Sequence, residues 1–112
     1  VGYLCSFPIL EYKKPSVFFA VVIHTYLNFK RIGIIEKLDY IKELEVDAIW
    51  IQPVYRSPMV DMGYDPISMK EIDPLFGTME DMENLIQASH ERKLKVVMDF
   101  VPNHVSDQSE WF

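Results

Sequence analysis

The 112-residue sequence contains a single cysteine, Cys5, so it can form no internal disulfide and has no cysteine spacing typical of a zinc site. It is also poor in basic residues, since 11 Lys and Arg stand against 17 Asp and Glu and give a formal net charge of -6 at pH 7. Nucleic acids are bound largely through clustered Lys and Arg side chains. We therefore expect no nucleic-acid partner.

Long hydrophobic runs are absent as well. A membrane span requires roughly 20 apolar residues, and the apolar run Val17–Ile23 is far shorter. This run follows Lys13 and Lys14, as the core of a secretory signal would, but it is interrupted by His24 and lacks a clear small-residue cleavage site. We interpret Val17–Ile23 as a buried strand and expect no clear membrane segment.

Apolar side chains are plentiful, at 49% of residues, which is enough for a packed core. Their helical spacing predicts two amphipathic helices. The first begins near Ile34, and the second begins after the N-cap residue Thr78, has acidic residues in its first turn and ends near Lys93. The apolar stripes are Ile34, Ile35, Leu38, Ile41 and Leu44 in the first helix and Met82, Leu85, Ile86 and Ser89 in the second.

Two further segments, Val46–Ile51 and Lys95–Phe100, are rich in β-forming residues, and each is followed closely by a proline. Together with Val17–Ile23 they alternate with the two helices. Such alternation predicts parallel strands joined by helical crossovers, and therefore an α/β fold. Residues Gln52–Gly77 carry four prolines and two glycines and cannot form one regular element; a loop of this length in a compact domain is usually functional.

Within this loop lies Gly63-Tyr64-Asp65, a candidate ligand site because ligands gather in the loops that follow parallel strands. An aromatic face beside a carboxylate suits a sugar, which packs on the ring and donates hydroxyl hydrogens to the carboxylate. The same residues also suit a simple turn. In that interpretation Gly63 supplies an unusual φ and Asp65 pairs with a nearby cation.

A second candidate group follows the last predicted strand and consists of Asp99, Asn103 and His104. Asp99 could orient His104 or a distant arginine, and the imidazole could donate to a substrate hydroxyl. The alternative is structural: Asp99 forms an ion pair, and Asn103 and His104 satisfy the backbone of the loop. Spacing alone leaves both interpretations open.

Five motifs decide between these alternatives. In order, they are KLDYIKEL, DAIW, SPMVDMGYD, DPLFGTMED and DFVPNHVSDQSEWF, all within residues 34–112. They resemble the α-glucosidase branch of the α-amylase family, glycoside hydrolase family thirteen, which includes maltases and oligo-1,6-glucosidases. Within that branch, the residues of these motifs most resemble those of insect maltases. DFVPNH fits the D-x-x-x-N-H pattern of the family's first conserved region, and GYD fits its sugar-binding loop.

The resemblance implies a role for each candidate residue. Tyr64 would stack on the glucosyl ring at the non-reducing end, Asp65 would bind the outer hydroxyls of that ring, and His104 would bind its 6-hydroxyl. Asp99 would organise the site from beneath, and Asn103 would support the following loop. None of the five would be the nucleophile or the acid.

The resemblance also implies the fold class and the activity. The fold would be the N-terminal part of a (β/α)₈ barrel, about its first two or three β/α units, ending where an inserted loop domain begins. The lineage would be that of an exo-acting, retaining α-glucosidase, which hydrolyses maltose, sucrose or short α-glucosides without a cofactor. Its catalytic carboxylates would lie beyond Phe112, so we expect no catalytic residue in this chain and no activity from the chain alone.

A different class remains as the alternative, namely the glucosidase-like ectodomain of amino-acid transporter heavy chains. These proteins keep the barrel without hydrolysing sugar, and they tend to lose the sugar-binding signature. This chain retains GYD and the final Asn-His pair. The likeness to insect digestive maltases also suggests a secreted or extracellular protein.

Two departures from the family pattern stand out. Residues 1–31 form an atypical N-terminal segment that does not match the family, whereas 32–112 match part of the catalytic barrel domain. No acidic residue occurs between Pro15 and Ile35, where relatives carry a calcium-loop-like segment, so we expect no metal there. Glu45 stands where relatives commonly have glycine, and a positive φ at that position would cost roughly 1 kcal/mol or more.

Overall fold

The computed structural model describes residues 4–8, 17–23 and 33–112. His24 and most of the segment in which we expect no metal lie outside these ranges. The described elements are strands β1 (Leu4–Pro8) and β2 (Val17–Ile23), helix α1 (Ile34–Glu43), strands β3 (Ala48–Ile51), β4 (Tyr55–Arg56) and β5 (Ser68–Ile72), helix α2 (Met79–Glu91) and strand β6 (Lys95–Met98).

The main sheet has the strand order β1-β2-β3-β6. Strand β2 pairs in parallel with β3, and β3 pairs in parallel with β6, while β1 pairs antiparallel with β2. Because α1 lies between β2 and β3 in the chain, and α2 between β3 and β6, the three parallel strands and two helices form successive β/α units. The predicted α/β class is confirmed, and so is the interpretation of Val17–Ile23 as a strand.

The core lies where the helix stripes meet the sheet. Its buried residues include Leu38 and Ile41 from α1, Leu85 from α2, and Ile49 and Ile51 from β3. The predicted stripes are thus confirmed with one exception. Leu44 is 47% exposed and lies at the C-cap position, just beyond the end of α1 at Glu43.

The helix ends follow the sequence closely. Thr78 caps α2 as predicted: its hydroxyl accepts a hydrogen bond from the Asp81 amide, and the Asp81 carboxylate accepts one from the Thr78 amide, which forms a capping box. After α1, Glu45 has φ 58° and adopts the left-handed conformation. Lys93 has φ 58° after α2 and turns the chain in the same way into the last strand.

Two strand predictions need adjustment. The third strand begins at Ala48 rather than Val46, and the last strand ends at Met98, so Asp99 and Phe100 lie just beyond it. The long loop also contains a small sheet that the sequence pattern does not reveal. Strands β4 and β5 pair antiparallel, with a register shift between Tyr55 and Arg56. The segment Gln52–Gly77, which we predicted not to form one regular element, therefore contains two short paired strands.

Candidate functional site at the carboxyl ends of the parallel strands

The two candidate groups predicted from the sequence meet at the carboxyl ends of β3 and β6. Asp99 lies one residue beyond β6, and its backbone amide donates a 3.0 Å hydrogen bond to the carbonyl of Ile51, the last residue of β3. The parallel pairing therefore continues past the end of β6 and sets the Asp99 side chain beside β3. One of its carboxylate oxygens accepts a 2.5 Å hydrogen bond from Nε1 of Trp50.

Tyr64 reaches Asp99 from the long loop. Its phenol donates a 2.6 Å hydrogen bond to the second carboxylate oxygen of Asp99. The pKa of the Tyr64 phenol is raised to about 12. The largest cause is partial burial, and the hydrogen bond to Asp99 and the negative charges of Asp99 and Asp61 add to it. Tyr64 is therefore protonated at neutral pH, and its hydroxyl is the donor to Asp99.

His104 holds the other end of Tyr64. The imidazole Nε2 lies 2.6 Å from the backbone carbonyl oxygen of Tyr64, and the Asn103 side-chain nitrogen lies 3.2 Å from the imidazole Nδ1. Since a carbonyl oxygen can only accept, Nε2 carries the hydrogen and donates it, and Nδ1 accepts from the Asn103 amide group. A neutral imidazole satisfies both contacts. Asn103 and His104 are exposed, so the ring edge faces solvent beside Tyr64.

Asp65 is engaged within its own loop. One carboxylate oxygen accepts a 2.7 Å hydrogen bond from the Ser57 hydroxyl, and the other accepts from the backbone amides of Val60 and Asp61 at 3.0 and 3.2 Å. Desolvation opposes ionisation, but the hydrogen bonds from Ser57 and from the backbone outweigh it and hold the pKa of Asp65 below its usual value of 3.8.

The interpretation of Gly63-Tyr64-Asp65 as a simple turn agrees with the structure at Gly63 but not at Asp65. Gly63 has φ 95°, and a Cβ atom there would lie 3.0 Å from the backbone oxygen of Pro53, so both conformation and space favour glycine. The partners of Asp65 within the described ranges are a hydroxyl and backbone amides rather than the expected cation. Its contact with sugar hydroxyls stays a prediction.

Ser57 ties this loop to the body of the protein. The side chain is buried, at 8% exposure for the residue, and its oxygen also accepts from the Met59 amide at 2.9 Å. The Ser57 amide donates a 3.1 Å hydrogen bond to Asp73, which lies just after β5. Ser57 therefore connects the loop that carries Tyr64 and Asp65 to the end of β5.

Three residues of the site were not predicted from the sequence. Trp50 and Ser57 became visible only through the strand register and the loop conformation. Asp61 could have been noticed, because it lies in the same loop as Tyr64 and four residues before Asp65. Its carboxylate is exposed, accepts no hydrogen bond from the described part of the chain, and acts on Tyr64 through its charge.

Within residues 4–8, 17–23 and 33–112, no group of three or more His, Cys, Asp or Glu side chains is arranged to hold a metal ion. Neither described helix is long and apolar enough to cross a membrane.

Comparison with known proteins places this geometry in context. The sequence profile described as "Alpha amylase, catalytic domain" matches residues 30–112. An α-glucosidase of Apis mellifera is 55% identical over 80 residues, which is 71% of this chain and 14% of the relative. An amino acid transporter heavy chain, SLC3A1 of Rattus norvegicus, is 54% identical over 80 residues and is covered to 12%. The chain thus spans about one seventh or less of the length of these relatives.

Among solved structures, trehalose-6-phosphate hydrolase of Bacillus licheniformis superposes with a TM-score of 0.79 at 42% identity. The match covers 83% of this chain and 18% of that one. Together with the parallel strands and crossover helices, this likeness confirms the predicted fold class, the N-terminal part of a (β/α)₈ barrel.

Proposed function

Since the chain belongs to the α-amylase family, we propose that it forms the glucose-holding side of the active site of an exo-acting, retaining α-glucosidase. One observation supports this most strongly: Tyr64 is held at its hydroxyl by Asp99 and at its carbonyl by His104, at the carboxyl ends of two neighbouring parallel strands. Ligands of α/β barrels bind at this face. The substrate would be maltose, sucrose or a short α-glucoside.

In this proposal the Tyr64 ring is the platform for the glucosyl unit at the non-reducing end. The carbon-bound hydrogens on one face of the sugar pack on the Tyr64 ring, and the hydroxyls at the edge of the sugar donate hydrogen bonds to nearby acceptors. His104 lies at the exposed edge of the platform and binds the 6-hydroxyl. For that contact the imidazole would exchange one of its two present hydrogen bonds, to Tyr64 or to Asn103, for the sugar.

Two carboxylates of the loop compete for the remaining hydroxyls. Asp65 already accepts three hydrogen bonds, from Ser57, Val60 and Asp61, and a carboxylate has about four acceptor positions. Asp61 keeps its carboxylate exposed and uncommitted within the described ranges. We therefore assign the main contact to Asp61 and to Asp65 both the loop support and at most one sugar hydroxyl.

None of these carboxylates is proposed as nucleophile or acid. A retaining glycosidase needs two carboxyl groups about 5 to 5.5 Å apart across the scissile bond. Each oxygen of Asp99 accepts one hydrogen bond, from Trp50 or from Tyr64, and Asp65 accepts three within its own loop. By family resemblance the nucleophile and the acid come from later strands, and we propose that residues 32–112 contribute only binding groups.

The second candidate function is the non-catalytic ectodomain of an amino-acid transporter heavy chain. It is favoured by one observation, the 54% identity to the SLC3A1 heavy chain over 80 residues, which nearly equals the identity to the α-glucosidase. Overall similarity does not separate the two. The presence of the Tyr64 platform with its Asp99 and His104 contacts favours the sugar-binding function.

The test uses a chimera in which the 80-residue aligned segment of this chain replaces the corresponding segment of the Apis mellifera α-glucosidase. Hydrolysis of a chromogenic α-glucoside by the chimera, with kcat/KM within about tenfold of the parent enzyme, is the expected result. A folded chimera that neither binds nor hydrolyses an α-glucoside would refute the proposal and favour the heavy-chain alternative. The 112-residue chain alone should show no turnover above a buffer blank.

A further inference from the structure

The position of Trp50 in the site is set by the strand register. Trp50 is the third residue of β3 and pairs with Val97 of the neighbouring strand β6. Its indole Nε1 reaches Asp99, two residues beyond Val97, at 2.5 Å. The indole is half-buried, and it lies beneath the residue that holds the Tyr64 hydroxyl.

The carboxylate of Asp99 acts as a hydrogen-bond acceptor for two donors. The indole N–H of Trp50 can only donate, and the phenol of Tyr64 donates to the other oxygen. Asp99 is therefore an acceptor at both oxygens, one for each donor. A carboxylate with a single partner can rotate about its last bond, whereas two donors on opposite oxygens fix its plane.

We propose that Trp50 is a positioning residue for sugar binding, whose indole N–H orients Asp99 so that Asp99 in turn holds the phenol of Tyr64 in the sugar platform. This inference rests on the proposed function, because the platform is the part that the sugar would contact. It adds to the site a residue that makes no contact with the sugar itself.

A purely structural role for Trp50 makes a different prediction. If the indole only fills space between the strands, replacing it with phenylalanine disturbs packing and lowers activity whatever residue stands at position 64. If it acts through Asp99 on the Tyr64 phenol, its loss matters only while that phenol is present. A double-mutant cycle between positions 50 and 64 separates the two roles.

In the chimera, Trp50→Phe should lower kcat/KM on a chromogenic α-glucoside by about tenfold, the loss typical of a hydrogen bond to a charged group. In the Tyr64→Phe background the same substitution should change kcat/KM by less than twofold. Trp111→Phe, at a tryptophan residue that is 69% exposed, is the matched control and should leave kcat/KM unchanged. An equal loss in both backgrounds would overturn the inference.

A second measurement does not depend on enzymatic activity. The full chain contains two tryptophans, so its nitrogen-proton NMR spectrum has two indole signals, and the one lost in Trp50→Phe belongs to Trp50. Asp99→Asn should move the Trp50 signal and speed its hydrogen exchange, while the Trp111 signal stays in place. A Trp50 signal unaffected by Asp99→Asn overturns the inference. If the Trp50 signal responds to Asp99→Asn but the chimera hydrolyses no α-glucoside, the proposed function is overturned and the contact between Trp50 and Asp99 is not.

Discussion

The phenol oxygen of Tyr64 lies 2.6 Å from a carboxylate oxygen of Asp99, although 35 residues separate the two along the chain. Tyr64 belongs to the loop after one parallel strand, and Asp99 follows the next. The contact can form only when the α2 crossover has brought β6 beside β3. The proposed sugar platform therefore depends on the pairing of β3 with β6 and not on one segment alone.

Removal of the Tyr64 hydroxyl should weaken sugar hydrolysis without removing the platform. In the chimera, Tyr64→Phe loses a hydrogen bond to a charged partner, worth about 1.5 to 3 kcal/mol, and should lower kcat/KM by roughly ten- to a hundredfold. Tyr64→Ala also removes the ring and should cost more. Tyr40→Phe, at an exposed tyrosine on α1, is the control and should retain the starting value. Equal activity of Tyr64→Phe and the unmodified chimera would contradict the account.

The two loop carboxylates should separate in a comparison of binding with stability. Asp61→Asn should lower kcat/KM about tenfold and leave the melting temperature unchanged, because its carboxylate supports no described hydrogen bond. Asp65→Asn should lower the melting temperature of the chimera, because its three hydrogen bonds to Ser57, Val60 and Asp61 are weakened. The same substitution should also lower activity through the loop.

The reverse pattern would reassign the sugar contact. If Asp65→Asn reduces kcat/KM at an unchanged melting temperature while Asp61→Asn is silent, Asp65 is the direct ligand, as the family resemblance implied. Ser57→Ala provides the matched control. It removes one hydrogen bond from Asp65 and leaves both carboxylates, so it should reproduce the stability loss of Asp65→Asn in part.

The raised pKa of Tyr64 predicts a late phenol titration. Absorbance at 295 nm, taken as the difference between the chain and its Tyr64→Phe variant, should rise with a midpoint near pH 12 rather than near 10. Because the folded-state pKa is raised, the stabilisation from this group is complete below pH 10 and is lost as the pH rises through 12. Asp99→Asn removes the negative partner and should lower the midpoint; an unchanged midpoint would refute the contact.

Glu45 provides a test of backbone strain. It has φ 58°, which costs a residue with a Cβ atom about 1 kcal/mol relative to glycine. Glu45→Gly should therefore raise the midpoint of urea unfolding of the chain. Lys37→Gly, at an exposed position within α1, is the opposite control and should lower the midpoint, since glycine in a helix costs about 1 kcal/mol. A lower midpoint for Glu45→Gly would show that the glutamate side chain stabilises the turn.

The regular elements could be predicted from the sequence because each follows from a local pattern. The spacing of Leu38 and Ile41 marked the inner face of α1, and Thr78 with its acidic followers marked the start of α2. For Glu45 the sequence indicated only what a positive φ would cost, and the structure shows that this φ is present. Leu44 was misplaced because helical spacing carries no information on where the last turn ends.

The contacts within the site could not be predicted in this way, because they depend on register and loop conformation. Trp50 meets Asp99 only through the pairing of β3 with β6, and spacing along the chain contains no such information. The small sheet of β4 and β5 was likewise hidden, since Tyr55 pairs with Ile72 across a loop rich in proline. The partners of Asp65 were missed because two of them are backbone amides, which any residue supplies.

The most direct test of the central claim is the binding of a glucose-like inhibitor, 1-deoxynojirimycin, to the chimera and to its Tyr64→Ala variant by calorimetry. If this chain supplies the glucose-holding side of the site, the chimera should bind the inhibitor. Tyr64→Ala should remain folded, although with a lower melting temperature, and should weaken binding by roughly ten- to a hundredfold, as expected for the loss of an aromatic stacking platform and its hydrogen bond. Equal affinities of the two folded proteins would contradict the claim.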